Sequence, residues 1–144
     1  MSLRLGDQLC FPLYAAARAV QQRYRPLLSV LGLTYPQYLV MMVLWEEDAQ
    51  SVSALGRHLM LDSGTLTPLL KRLETAGLLE RRRMHADGRI VTAHLTAEGR
   101  ALRARAADVP GLLAACLAPA AGDFDVPEFK RSLDHLLRIL EEAP

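Results

Sequence analysis

The sequence predicts a mainly α-helical fold carrying one small β-hairpin. Three observations predict it. Apolar residues recur every three or four positions over most of the chain, that period yields to strand-like alternation on either side of Asp87-Gly88, and helix-opening caps are spaced along the sequence. The chain has 144 residues, 51% hydrophobic and 23% charged, which excludes disorder and collagen-like repeats. Two cysteines, Cys10 and Cys116, are too few for a disulfide scaffold or a structural zinc site. The longest apolar run, Tyr38 to Trp45, falls far short of the roughly 20 residues a spanning helix needs. Arg4, Asp7 and Arg18 surround only a short apolar stretch, which argues against a secretory leader, so a cytoplasmic location is expected.

The first helix is read from Leu13, Ala16, Ala17, Val20, Tyr24, Leu27, Leu28 and Leu31, an amphipathic spacing. Thr34-Tyr35-Pro36-Gln37 forms a capping box that opens a second helix, apolar on every side through Trp45 and therefore central. Ser51 to Leu59 reads as a short helix with Val52, Leu55 and Leu59 on one face. A turn at Leu61 to Gly64 leads to a further helix with an inward stripe of Leu66, Leu69, Leu70 and Leu73, stopped at Gly77. Pro68 predicts a late or distorted start there, since a proline beyond the first turn removes a backbone bond. Strands Leu79–Met84 and Arg89–Leu95 flank His85-Ala86-Asp87-Gly88, where Asp-Gly signals a hairpin turn. Thr96 caps a long helix from about Ala97 towards Leu117, bent at Pro110-Gly111, and Asp125-Val126-Pro127-Glu128 opens a last one with Phe129, Leu133, Leu136, Leu137 and Leu140 facing inward.

Two short helices joined by a tight turn and followed by a basic hairpin make a winged helix-turn-helix. Its charge agrees: Gln50 to Arg105 holds ten Lys/Arg against five Asp/Glu, a balance of +5, while the rest of the chain is at −4. A local basic surface attracts phosphate whatever the total charge. The second short helix of such a module enters the major groove, and here its polar face offers Ser63, Thr65, Thr67, Lys71 and Arg72. Arg89 at the hairpin tip suits a narrow minor groove, with Asp87 expected to hold its guanidinium. Arg81, Arg82 and Arg83 alternate in direction, so all three cannot contact DNA directly. The competing reading is an ordinary amphipathic helix with a solvated hairpin.

The run Asp62-Ser63-Gly64-Thr65-Leu66-Thr67-Pro68-Leu69-Leu70-Lys71-Arg72-Leu73-Glu74, with Gly77-Leu78 and Asp87-Gly88-Arg89, resembles the winged-helix module of MarR-type transcriptional regulators, and the flanking helices match in order. The resemblance implies one domain over residues 1–144. The DNA-binding module would lie at about 50–95, and helices at about 7–31 and 97–142 would interlock two subunits into a homodimer on a pseudo-palindromic double-stranded operator. A narrower likeness lies in Leu9-Cys10-Phe11, Leu13-Tyr14-Ala15-Ala16, Tyr24-Arg25-Pro26-Leu27-Leu28 and Leu31-Gly32-Leu33-Thr34-Tyr35-Pro36-Gln37-Tyr38, which are similar to the organic hydroperoxide resistance regulators (OhrR). That branch implies a peroxide-sensing cysteine at Cys10, hydrogen-bonded by tyrosines at Tyr24 and Tyr35 across the dimer. In its two-cysteine subset, the resolving cysteine stands at Cys116 and comes from the other subunit. Pro12 departs from the branch and is expected to disturb the turn that positions Cys10.

The chemistry of those residues points the same way. Peroxide reacts with a thiolate, and Asp7 could cap a helix whose first turn, holding Cys10, favours one. Two phenols would add donors to the charged form. A sulfenic acid could then condense with Cys116. A lone cysteine is nevertheless most often a small buried hydrophobe, and tyrosines at helical spacing most often belong to a core. The rival functions are a MarR-type repressor released by a bound phenolic or aromatic ligand, a thiol peroxidase and a purely structural interaction module. His58, His85, His94 and His135 fall on separate elements without metal-ligand spacing, and no catalytic set or phosphate loop is visible. A non-enzymatic regulator without cofactor is expected.

Overall fold

A computed structural model describes residues 2–143. A single 3₁₀ turn, Leu5–Asp7, precedes α1 (Cys10–Ser29), α2 (Tyr35–Glu46), β1 (Gln50–Ser51), α3 (Val52–Leu59), α4 (Ser63–Thr75), β2 (Leu79–Arg83), β3 (Val91–Leu95), α5 (Ala97–Ala106), α6 (Val109–Ala121) and α7 (Val126–Glu142). The chain divides into two compact units, residues 1–113 and 114–144.

The first unit is built around α2. Thr34 accepts from the Gln37 amide while Gln37 accepts from the Thr34 amide, the reciprocal cap expected from sequence. Val40, Met41 and Leu44 of α2 are fully buried against Leu28, Leu55, Leu66, Leu70, Leu73 and Leu79. Ser51, Asp62 and Thr96 cap α3, α4 and α5, each accepting from the backbone amide three residues on.

Several expectations are corrected. The α4 helix begins on time at Ser63, and the turn before it is Met60–Asp62, with Met60 in the left-handed region at φ 54°. Pro68 is carried inside α4: its ring lies on the exposed side, and the cost is one carbonyl, that of Gly64, left without its helical donor. The helix expected to bend at Pro110-Gly111 is two helices separated at Ala107-Asp108. Pro110 stands at the second position of α6, where its missing N–H would have had no partner anyway, so it starts a helix instead of kinking one.

The sheet has three strands in the order β1-β3-β2, all antiparallel; β1, two residues long, was not foreseen. The hairpin pairs Leu79 with Leu95 through Arg83 with Val91. A further bond from the Met84 amide to the Ile90 carbonyl closes a five-residue loop, His85–Arg89. Asp87-Gly88 therefore opens a β-turn closed by the Ile90 amide on the Asp87 carbonyl, rather than forming a two-residue hairpin turn.

The first half of α1 is uncovered in the single chain. Leu28 is buried and Leu13, Tyr24 and Leu27 half-buried, but Phe11, Tyr14 and Val20 are exposed. In the second unit α7 is capped by Asp125, which accepts from the Glu128 amide, and buries none of its residues. Of the expected inward stripe, Leu133 and Leu136 are half-buried while Phe129, Leu137 and Leu140 are exposed in one chain.

Candidate nucleic-acid interface and redox site

The outer side of α4 presents the five expected groups. Ser63, Thr65, Thr67, Lys71 and Arg72 are all exposed, opposite the buried Leu66, Leu69, Leu70 and Leu73. Asp62 takes the Thr65 amide at 2.7 Å, and the backbone and side-chain bonds from Thr65 hold its carboxyl below the ordinary range, fixing the first turn of the helix. Between α4 and the hairpin runs a groove of about 500 Å³ whose polar lining is Thr67, Arg81, Arg83 and Arg89 with Ser51 of β1 and Ser53 of α3, over an apolar floor of Val52, Leu70, Ile90 and Val91. Its hydroxyls and the Arg89 guanidinium suit the phosphate backbone.

At the hairpin tip Asp87 does not hold the Arg89 side chain. Its carboxylate accepts the Arg89 backbone amide at 3.0 Å, which shapes the turn and leaves the guanidinium free to project. The tip is held by Arg83, whose Nη1 donates to the Gly88 carbonyl at 2.8 Å, a role the sequence did not reveal. The three stem arginines alternate as expected. Arg82 pairs with Glu80 at 3.0 Å, both well exposed, while Arg81 engages Glu74 at 2.8 Å. Those bonds to the Arg81 amide and fork hold the Glu74 carboxyl below its ordinary range. Behind the hairpin, Asp48 accepts the amides of Ala49 and Leu95 and the Arg100 guanidinium. Burial pushes its carboxyl up, but those bonds together outweigh it and the carboxyl is lowered.

Cys10 is the first residue of α1, and it is exposed and free, as is Cys116 in α6. Asp7 does not cap this helix. It ends the preceding 3₁₀ turn, and the cap position is Leu9, whose side chain has nothing to offer. Pro12 causes no disturbance because it stands at the third position, where a helix amide has no partner to lose. Tyr24 and Tyr35 lie ring to ring at 4.8 Å, with Tyr38 6.0 Å from Tyr24. Burial raises both phenols, for Tyr24 with help from Tyr35 and Tyr38, so both stay protonated donors. Tyr24 follows Cys10 by 14 residues on the same helix. At 1.5 Å per residue, that separates them by about 21 Å along its axis, beyond any hydrogen bond within one chain.

A family model described as transcriptional regulator SarA/Rot matches residues 22–105. Over 140 residues the chain is 44% identical to the organic hydroperoxide resistance transcriptional regulator of Bacillus subtilis (strain 168), covering 97% of this chain and 94% of that one. This chain belongs to the MarR-type transcriptional regulators, in the organic hydroperoxide resistance branch. The MarR-type fold is shared with AbfR of Staphylococcus epidermidis in two states. Against reduced AbfR bound to DNA, identity is 36% and the TM-score 0.79, over 96% of this chain and 93% of that one. Against disulfide-formed AbfR, identity is 39% and the TM-score 0.66, over 94% and 93%. The MarR-type regulator is thus a DNA-binding protein and its relatives are regulators rather than enzymes. Among the described residues no group of three His, Cys, Asp or Glu is placed to hold a metal, and no single helix is long and apolar enough to cross a membrane.

Proposed function

We propose that this regulator is a cytoplasmic homodimeric repressor that holds a pseudo-palindromic operator while Cys10 is reduced and releases it when an organic hydroperoxide oxidises that thiol. The observation that carries the proposal is the pairing of two exposed free thiols, Cys10 and Cys116, with a likeness to AbfR in both a reduced DNA-bound and a disulfide form. The Cys10 thiolate attacks the peroxide O–O bond, leaving a sulfenic acid and releasing the alcohol. Cys116 of the second subunit then displaces water from that sulfenic acid to form the disulfide.

Two features support a dimer with shared sites. The roughly 21 Å between Cys10 and Tyr24 along α1 means that a Tyr24 phenol reaching this thiol has to come from another chain. The exposed apolar residues Phe11, Tyr14 and Val20 in α1, and Phe129, Leu137 and Leu140 in α7, supply the surfaces that a second copy would cover. On this reading residues 7–31 and 97–142 dimerise and residues 50–95 read DNA. Ser63, Thr65, Thr67, Lys71 and Arg72 meet the major groove, and Arg89, on a tip shaped by Asp87, meets the minor groove. Tyr24 and Tyr35 donate to the partner's thiolate. The test is an operator titration before and after cumene hydroperoxide, with non-reducing gels of the same samples. Release while Cys10 remains a free, unoxidised thiol would overturn the redox reading.

A further inference from the structure

Glu74 occupies the next-to-last position of α4, where the negative end of the helix dipole makes a carboxylate unwelcome. Its contacts explain its presence. One oxygen accepts the Arg81 amide at 2.9 Å, and the other accepts Nε at 3.1 Å and Nη2 at 2.8 Å. Because β2 is an edge strand of the sheet, the Arg81 amide that Glu74 captures belongs to a free edge. Three bonds thus tie the groove-reading helix to the hairpin. The same carboxylate occupies the guanidinium of Arg81, a residue lining the groove shared with Thr67, Arg83 and Arg89. Arginine in that position would otherwise be a sequence-blind phosphate contact.

We propose that Glu74 is a specificity-determining positioning residue: it sets the angle between recognition helix and wing and withholds Arg81 from the DNA backbone. The proposal rests on the module's reading as the DNA-contacting surface. Removing the carboxylate then has two opposite effects. A loosened wing weakens contacts that depend on register, while the freed Arg81 and the lost negative charge strengthen contacts to any duplex.

The experiment uses the full-length reduced protein and two probes: a duplex selected by the wild type from a random pool, and a scrambled duplex of equal length. Both are titrated from 0.05 to 0.5 M salt with Glu74→Ala, Arg81→Met and the double variant, and each variant's melting temperature is measured. For Glu74→Ala the expected result is roughly tenfold weaker binding of the selected duplex. Scrambled duplex should bind about threefold to fivefold tighter at 0.15 M, with a salt slope steeper by about 0.9 for one added phosphate contact. Arg81→Met and the double variant should lose affinity for the selected duplex without the steeper slope. Equal weakening on both probes together with a lower melting temperature would mean a purely structural pair and overturn the proposal, as would an unchanged ratio between the probes. If Glu74→Ala does not fold, Arg81→Lys, which keeps the charge but not the fork, carries the same comparison. A wild type that selects no duplex from the pool would instead overturn the DNA-contact reading on which the proposal stands.

Discussion

The indole N–H of Trp45 donates to the carbonyl of Gly99 at 2.9 Å, joining the central helix α2 to the first turn of α5. The approach is close on every side: a Cβ on Gly99 would lie 2.0 Å from the Leu78 carbonyl oxygen and 3.2 Å from the Leu95 side chain. Gly99→Ala is expected to cost about 2–4 kcal/mol, because backbone rather than a flexible side chain must move. Thermal denaturation of the reduced protein should show a fall of roughly 5–15 °C. An unshifted midpoint would mean that α5 can slide away from Leu78 freely.

Cys10→Ser is expected to bind operator within about twofold of the wild type and to ignore hydroperoxide, since a hydroxyl cannot be oxidised in place of the thiolate. Cys116→Ser should still respond, with Cys10 trapped as sulfenic acid or as a mixed disulfide and no covalent dimer on a non-reducing gel. Peroxide-driven release of the Cys10→Ser protein would point to a sensor elsewhere, or to a bound small molecule as the natural signal.

Arg89→Ala should weaken operator binding by about 1–3 kcal/mol and flatten its salt dependence by about 0.9. Arg82→Ala is the matched control. Its side chain is paired with Glu80 and does not line the groove beside α4, so a change within about twofold is expected. Equal losses for the two variants would show that the hairpin contributes only diffuse charge.

Asp48 gives the fold an acid limb. Its carboxyl lies below the ordinary value of 3.8, so its contribution to stability is fully present above that pH and is lost as pH falls through the lower folded value. Asp48→Asn should lower stability at neutral pH and reduce the stability change between pH 5 and pH 2. Chemical denaturation at a series of pH values reads both effects. A variant as acid-sensitive as the wild type would move the acid limb to other carboxylates, Glu74 first.

The features that sequence foretold are those set within four residues of one another. The Thr34–Gln37 box and the caps at Thr96 and Asp125 depend on a side chain and an amide three positions away, and all form. The helix-turn-helix and wing were legible for the same reason, since period and turn residues are local signals. What escaped prediction depends on distant partners. The two-residue β1 exists only because Gln50 and Ser51 meet Ala93 and Thr92. Asp87 was assigned the wrong group of Arg89 because its nearest donor is decided by the loop that Met84 and Ile90 close. The Glu74–Arg81 clamp spans the Gly77 turn and leaves no periodic trace. At the redox site the resemblance pointed to Cys10 and its tyrosines. Asp7 failed as a cap because an intervening 3₁₀ turn moved the helix start past it.

The shape of the hairpin tip affects the thermodynamics of docking. A five-residue loop arriving limp at a groove would surrender about 1 kcal/mol of backbone freedom per residue on contact. Arg83 on the Gly88 carbonyl and Asp87 on the Arg89 amide place that loss in folding, before any duplex is met. On the proposed docking the finger would reach its groove already stiffened, and its grip on DNA should carry little of the unfavourable entropy that accompanies disordered arms.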